Sequence, residues 1–173
     1  SVDNTITYPT INTLYQTDSY DGIDKTQTYN LAYKKTFTKP GQTLDFETNY
    51  NRTSDDQSGM FGVAGNTLTN YNDNSDNVID ALQANLDYVH PISEKTKLEI
   101  GAEYRGTEIN NTYTTTNEIA NNTDFEYNVN ILSGYATLGS KFDKWSYQIG
   151  ARVEKYDVDA NYAVYPHSSD IML

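Results

Sequence analysis

Leu82-Gln83-Ala84-Asn85-Leu86-Asp87-Tyr88 and, after a short break, Lys97-Leu98-Glu99-Ile100-Gly101-Ala102-Glu103-Tyr104-Arg105 decide the fold. Successive side chains of an extended strand point to opposite faces, so in the first run Leu82, Ala84, Leu86 and Tyr88 share one side and Gln83, Asn85 and Asp87 the other. In the second run Leu98, Ile100, Ala102 and Tyr104 oppose Lys97, Glu99, Gly101, Glu103 and Arg105. One face is apolar and the other charged. The break at 91–96 begins with Pro91, which reads as a turn joining two antiparallel strands, the first running over 77–90.

The design repeats along the chain. Trp145, Tyr147, Ile149, Ala151 and Val153 alternate with Ser146, Gln148, Gly150, Arg152 and Glu154. Before them, from Phe125, the residues Tyr127, Val129, Ile131, Ser133, Tyr135 and Thr137 make one face, while Leu132, Ala136 and Leu138 blur the opposite one. Tyr29, Leu31, Tyr33 and Phe37 alternate with Asn30, Ala32, Lys34 and Thr36, and Leu44, Phe46, Thr48 and Tyr50 with Asp45, Glu47 and Asn49. A first strand over 5–17 is interrupted by Pro9, which removes a ladder hydrogen bond. The reading is all-β, with about seven antiparallel strands over 1–173.

The connections alternate in length. Those at 38–43, 91–96 and 140–144 are short, and the first contains Lys39-Pro40-Gly41, which is turn chemistry. Those at 51–76, 106–124 and from 157 onward are long and rich in Asn, Asp, Ser, Thr and Gly. Transmembrane barrels place short turns at the periplasmic end and long loops at the other, whereas a soluble sandwich has no reason to sort loops by end. Strand length points the same way, since a tilted strand crosses the hydrocarbon band in about 9–11 residues while soluble strands most often have about 5–6. The expectation is an up-and-down outer-membrane β-barrel, here a segment of a larger one. An odd number of strands does not close a bacterial barrel, and an open edge in lipid leaves backbone groups unsatisfied.

Composition narrows the function classes. Hydrophobic residues are 36% of the 173 and mean hydropathy is −0.73, but no apolar run approaches the roughly 20 residues of a membrane helix. Lys and Arg number 12 against 24 Asp and Glu, and the net charge of −12 repels a phosphate backbone, so nucleic acid is not an expected partner. Cysteine is absent, which excludes disulfides and thiolate metal sites. Sixteen tyrosines beside five phenylalanines and one tryptophan favour strands.

Tyr29-Asn30-Leu31-Ala32-Tyr33, Leu86-Asp87-Tyr88-Val89-His90-Pro91 leading to Lys97-Leu98-Glu99-Ile100-Gly101, and Tyr147-Gln148-Ile149-Gly150-Ala151-Arg152-Val153-Glu154 resemble the barrel of TonB-dependent outer-membrane receptors. The likeness is to the group whose barrel follows a carboxypeptidase-regulatory-like domain. It implies about a third of a roughly 22-stranded barrel around a plug. It also implies a Gram-negative outer membrane, and import of a siderophore, glycan or peptide with energy from the TonB complex. Its implied partners are outer-membrane lipid, TonB through a plug absent from this sequence, and a surface lipoprotein. No stretch resembles a plug or a TonB box, and Ile171-Met172-Leu173 lacks the terminal aromatic of barrel proteins.

Individual residues are assigned accordingly. Glu99, Glu103, Arg105, Arg152 and Glu154 belong to the lumen side, where cross-strand ion pairing within the wall is the favoured role over a substrate route. Trp145, Tyr88, Tyr104 and Tyr147 are lipid-interface candidates, with Trp145 at the headgroup level. Lys35 falls on the lipid side close enough to the short turn to snorkel. Asn72-Asp73-Asn74-Ser75-Asp76-Asn77 fails as an EF-hand, because counting from Asp73 puts Val78 at the glycine position and Ala84 at the bidentate-glutamate position. Gly59, Gly62 and Gly65 precede no phosphate-binding lysine or helix start. His90 and His167 have no ligand spacing or triad around them. No catalytic residue, metal site or cofactor is expected. The competing reading is a secreted or surface soluble β-domain that binds glycan or protein through Asn- and Tyr-rich loops, and it requires the apolar faces to be buried internally.

Overall fold

A computed structural model of the chain describes residues 15–64 and 70–166. They form one antiparallel sheet of six strands in sequence order: β1 (Tyr15–Thr36), β2 (Thr43–Ala64), β3 (Tyr71–Pro91), β4 (Thr96–Thr115), β5 (Asn122–Lys141) and β6 (Ser146–Tyr165). Each strand pairs with the next in unbroken register, and the sheet is not closed, so β1 and β6 are edges among the described residues. The expected strand over 5–17 lies outside the described residues except for 15–17, which are the start of β1.

The turns at 37–42, 92–95 and 142–145 sit within two residues of their expected places. Gly41 takes a positive φ of 78°, and the Gln42 amide donates to the Lys39 carbonyl at 3.1 Å, closing the Lys39-Pro40-Gly41 turn. The last turn is closed by the Phe142 amide on the Trp145 carbonyl at 2.7 Å, so Trp145 ends the turn and does not begin the strand.

The long connections are where the structure departs from expectation. Most of the described part of 51–76 and of 106–124 is strand, leaving 116–121 as a connection while 65–69 lie outside the described residues, and β6 runs on through 157 to Tyr165. Asn, Asp, Ser and Thr have little intrinsic preference for strands, but side-chain ladders hold them there. Asn51 donates to the Thr28 hydroxyl at 2.9 Å, and Arg52 meets Asp80 at 3.0 Å. The asymmetry between ends therefore lies in strand overrun instead of loop length. Strands of 20–22 residues are about twice what a hydrocarbon band uses.

Cross-strand register locates that band. Its upper row is Tyr29, Tyr50, Leu82, Gly106, Asn130 and Asp157, and its lower rows carry Tyr88, Ile100, Leu98 and Ile149. Between them one face carries Phe46, Leu86, Ala102, Gly134 and Val153 in a row, and Leu132, Ala136 and Leu138 lie on it as well. In β5 the line from Tyr127 to Thr137 is one face, but it is the opposite, polar one. The residues that blurred the pattern, Leu132, Ala136 and Leu138, are the apolar surface. Sidedness then inverts above the band. There the same outer face presents Arg52, Asp80, Glu108, Asn128 and Asp159, while Ile79, Ile109, Tyr127, Val129 and Val158 line the inner face.

Among the described residues no hydrophobic side chain is buried. Leu86 is 44% exposed, Ile100 46% and Ile149 68%, while Ser133 on the polar face is 3% exposed. A water-soluble sheet hides its apolar face and wets its polar one; here the arrangement is reversed. A soluble β-domain with internally buried apolar faces does not fit this arrangement.

Candidate functional site

The polar face carries an ordered charge network over the height of the band. Arg152 is its centre. Its guanidinium reaches Glu103 Oε2 at 2.5 Å, two strands away, and Glu154 Oε1 at 2.7 Å, and donates to the Ser133 hydroxyl at 3.0 Å. Ser133 in turn donates to Glu154 at 3.2 Å. Arg105 contacts Glu103 at 3.2 Å. Strands β4, β5 and β6 are tied together because Glu103, Ser133 and Glu154 occupy one cross-strand row. Four of the five lumen-side candidates thus meet in one cluster, and the fifth, Glu99, pairs with Lys97 on the same face at 2.5 Å. With Arg152 40% exposed, the individual pairs are screened by solvent and add little stability, and the cluster acts mainly to hold a polar wall in shape.

Beside the cluster is a contact that the sequence pattern did not reveal. Asp87, Gly101 and Tyr135 share a row, and the Tyr135 ring lies flat across Gly101 so that its hydroxyl donates to the Asp87 carboxylate. A Cβ at Gly101 would stand 2.3 Å from the ring. Glycine is required here by the close approach of the ring, and the ring covers backbone that a bare glycine would expose. A glycine on a charged face, with tyrosine on the same face of the neighbouring strand, was the available signal. Only the register makes it readable.

The apolar face has aromatic residues at both margins. At the short-turn margin the Tyr88 ring meets Phe37 edge-on at 6.2 Å and its hydroxyl accepts from Gln42 at 2.6 Å, while Tyr147 stacks on Phe142 at 6.0 Å. Lys35 sits over the Phe37 ring at 5.0 Å, its ammonium drawn toward the turn as snorkelling requires. At the upper margin Tyr29 stacks on Tyr50, and Tyr104 extends over Gly106 to donate to Asn130 at 2.6 Å. The margins lie six residues apart along β3, from the row of Leu82 to Tyr88, and ten along β6, from Asp157 to Tyr147, a spacing on the order of the roughly 9–11 residues of a tilted membrane crossing. A family model of the outer membrane protein beta-barrel family matches residues 35–170.

The chain belongs to the outer membrane protein beta-barrel family. No curated protein matches it. As a member of that family its apolar face lies against lipid, its polar face looks inward, and the short turns mark the periplasmic end. Trp145 is 81% exposed at that end, as a side chain expected at the headgroup level would be. The emission lost in Trp145→Phe will be quenched by lipids carrying a nitroxide at the headgroup and poorly by aqueous iodide. Iodide quenching equal to that of free tryptophan would contradict this placement.

The remaining residues from the sequence resolve simply. Residues 72–77 belong to β3, which puts Asp73 and Asp76 on opposite faces and prevents them from converging on one ion. Among the described residues no group of three or more His, Cys, Asp or Glu side chains could hold a metal. Above the band Asp73 accepts from Thr115, and burial followed by the hydrogen bond to Asp73 raises the pKa of the Tyr113 phenol. Gly59 and Gly62 lie in β2, and the Phe61 ring covers Gly59. His90 meets the Tyr88 hydroxyl at 3.1 Å; Gly65, His167 and 171–173 lie outside the described residues.

Proposed function

We propose that this chain is part of the barrel wall of a TonB-dependent receptor in the outer membrane of a Gram-negative bacterium, importing a scarce nutrient of the siderophore, glycan or peptide class. The observation that carries this reading is the inner face, polar and ion-paired through the full height of the band while the outer face is apolar. A narrow barrel fills its interior with its own side chains, but a wide one presents a polar wall to water or to a plug. The phrases around Tyr29, Tyr88 and Tyr147 that resemble these receptors support the finer assignment. The unpaired edges of β1 and β6 support a larger ring, since lipid leaves no solvent for their backbone groups. Energy from TonB would arrive through a plug that is not part of these residues, and a surface lipoprotein is a candidate partner at the outer mouth. The role is transport without catalysis or cofactor: Glu103, Arg105, Arg152 and Glu154 at the centre of the wall are engaged with one another.

The test is growth of cells lacking the full-length protein, with ferric siderophores, glycans or peptides as the limiting nutrient in turn. Loss of growth on one class, reproduced by removing TonB and reversed by restoring the protein, is the expected result. Undiminished growth on all three classes overturns the proposal.

A further inference from the structure

The chain is strongly acidic, yet its short-turn end is not. Lys39, Lys95, Lys97, Lys141 and Lys144 gather in and beside the three turns, where Glu94 and Asp143 are the accompanying carboxylates. Four of these lysines, Lys39, Lys95, Lys97 and Lys141, line a hollow of about 1010 Å³ between the turns. The hollow opens on the inner side: Pro91, Lys97, Gly139 and Gln148, which form one row of the polar face, lie on its wall. Lys95 is paired with Asp143, which is 92% exposed, and Lys97 with Glu99. Such exposed pairs are worth little and exchange readily for a better partner. Among the described residues Lys39 and Lys141 have no carboxylate partner.

We propose that this hollow is a docking site for an acidic peptide segment of a partner protein at the periplasmic mouth of the barrel. Geometry selects a chain over a small anion. Lys39 belongs to the β1–β2 turn and Lys141 ends β5, between three and four strand spacings apart, or about 14–19 Å along the sheet. One phosphate cannot touch both, whereas an extended peptide reaches both within about six residues. Pro40, Pro91 and Val89 supply apolar wall between the lysines for the aliphatic parts of such a segment. Phospholipid is excluded as the occupant because acyl chains cover the opposite face. The cations also attract the segment before contact, in a concave mouth that focuses their field. The inference rests on barrel orientation and not on nutrient import, so it survives if the protein transports nothing.

The test uses the full-length protein in detergent, treated with a zero-length carbodiimide in the presence of a hexaglutamate peptide, with coupled sites mapped by mass spectrometry. Lys39 and Lys141 should both become amide-linked to the added peptide; linkage of these lysines to carboxylates of the protein itself in its place overturns the proposal. Coupling at Lys97 should fall about tenfold in Lys39→Glu/Lys141→Glu, as the loss of a focused field requires. An unshifted heat-modifiable gel mobility shows that this variant is folded. Absence of coupling at Lys39 and Lys141, or unchanged coupling at Lys97 in the folded variant, overturns the proposal.

Discussion

Leu86→Arg destabilises the full-length protein in lipid vesicles by about 2–4 kcal/mol, whereas Asn85→Arg, one residue earlier, is nearly neutral. Leu86 lies midway between the aromatic margins, in the row with Phe46, Ala102 and Val153, and its side chain is open to the outside. An arginine there is too far from either headgroup region to snorkel fully. Asn85 faces inward between Glu47 and Glu103, where a guanidinium finds carboxylates. Urea unfolding in vesicles measures the difference directly. Equal effects of the two substitutions would mean that the two faces meet the same medium.

Gly101→Ala is the second large effect, and its sign is the informative part. Replacing a strand glycine normally stabilises, by roughly 0.5–1 kcal/mol, because less backbone freedom is lost on folding. At Gly101 the new methyl would stand 2.3 Å from the Tyr135 ring, so the ring must move and release Asp87. Overpacking costs about 1–3 kcal/mol, and a hydrogen bond to a charged group is worth about 1.5–3 kcal/mol. The substitution is therefore expected to destabilise by about 2 kcal/mol or more on the same urea assay. In a Tyr135→Ala background the clash is gone, and Gly101→Ala should become neutral or stabilising. A cost that persists without the ring would place its origin elsewhere.

Both predictions depend on knowing which residues share a face, and this was the part most legible in the sequence. In β3 and β4 alternation is strict through the band, so it could be read from residue order alone that Leu86 and Ile100 share one face and Glu99, Glu103 and Arg105 the other. Arg152 and Glu154 followed for the same reason in β6. The band in β5 was harder to read, because Val129 and Ile131 are apolar but inward, at and above the margin where sidedness inverts. A period-2 pattern reports alternation but not which medium each face meets. The overrun of the strands was hidden because Asn, Asp and Ser read as loop, and what keeps 51–64 extended is pairing with two neighbouring strands. The joint of Gly101, Tyr135 and Asp87 and the gathering of lysines from three turns both require register and topology, which join residues distant in sequence.

The central claim is that β3 crosses a bilayer with its even-numbered residues against lipid and its odd-numbered ones inward. These 173 residues hold no cysteine, so single cysteines introduced at each position from 83 to 89 can carry an environment-sensitive fluorophore in the folded, vesicle-embedded full-length protein. The account predicts an emission maximum that alternates with every residue, blue-shifted and quenched by nitroxide lipids at 84, 86 and 88, and red-shifted and quenched from water at 83, 85, 87 and 89. Uniform emission along the strand, or the opposite phase, would contradict it.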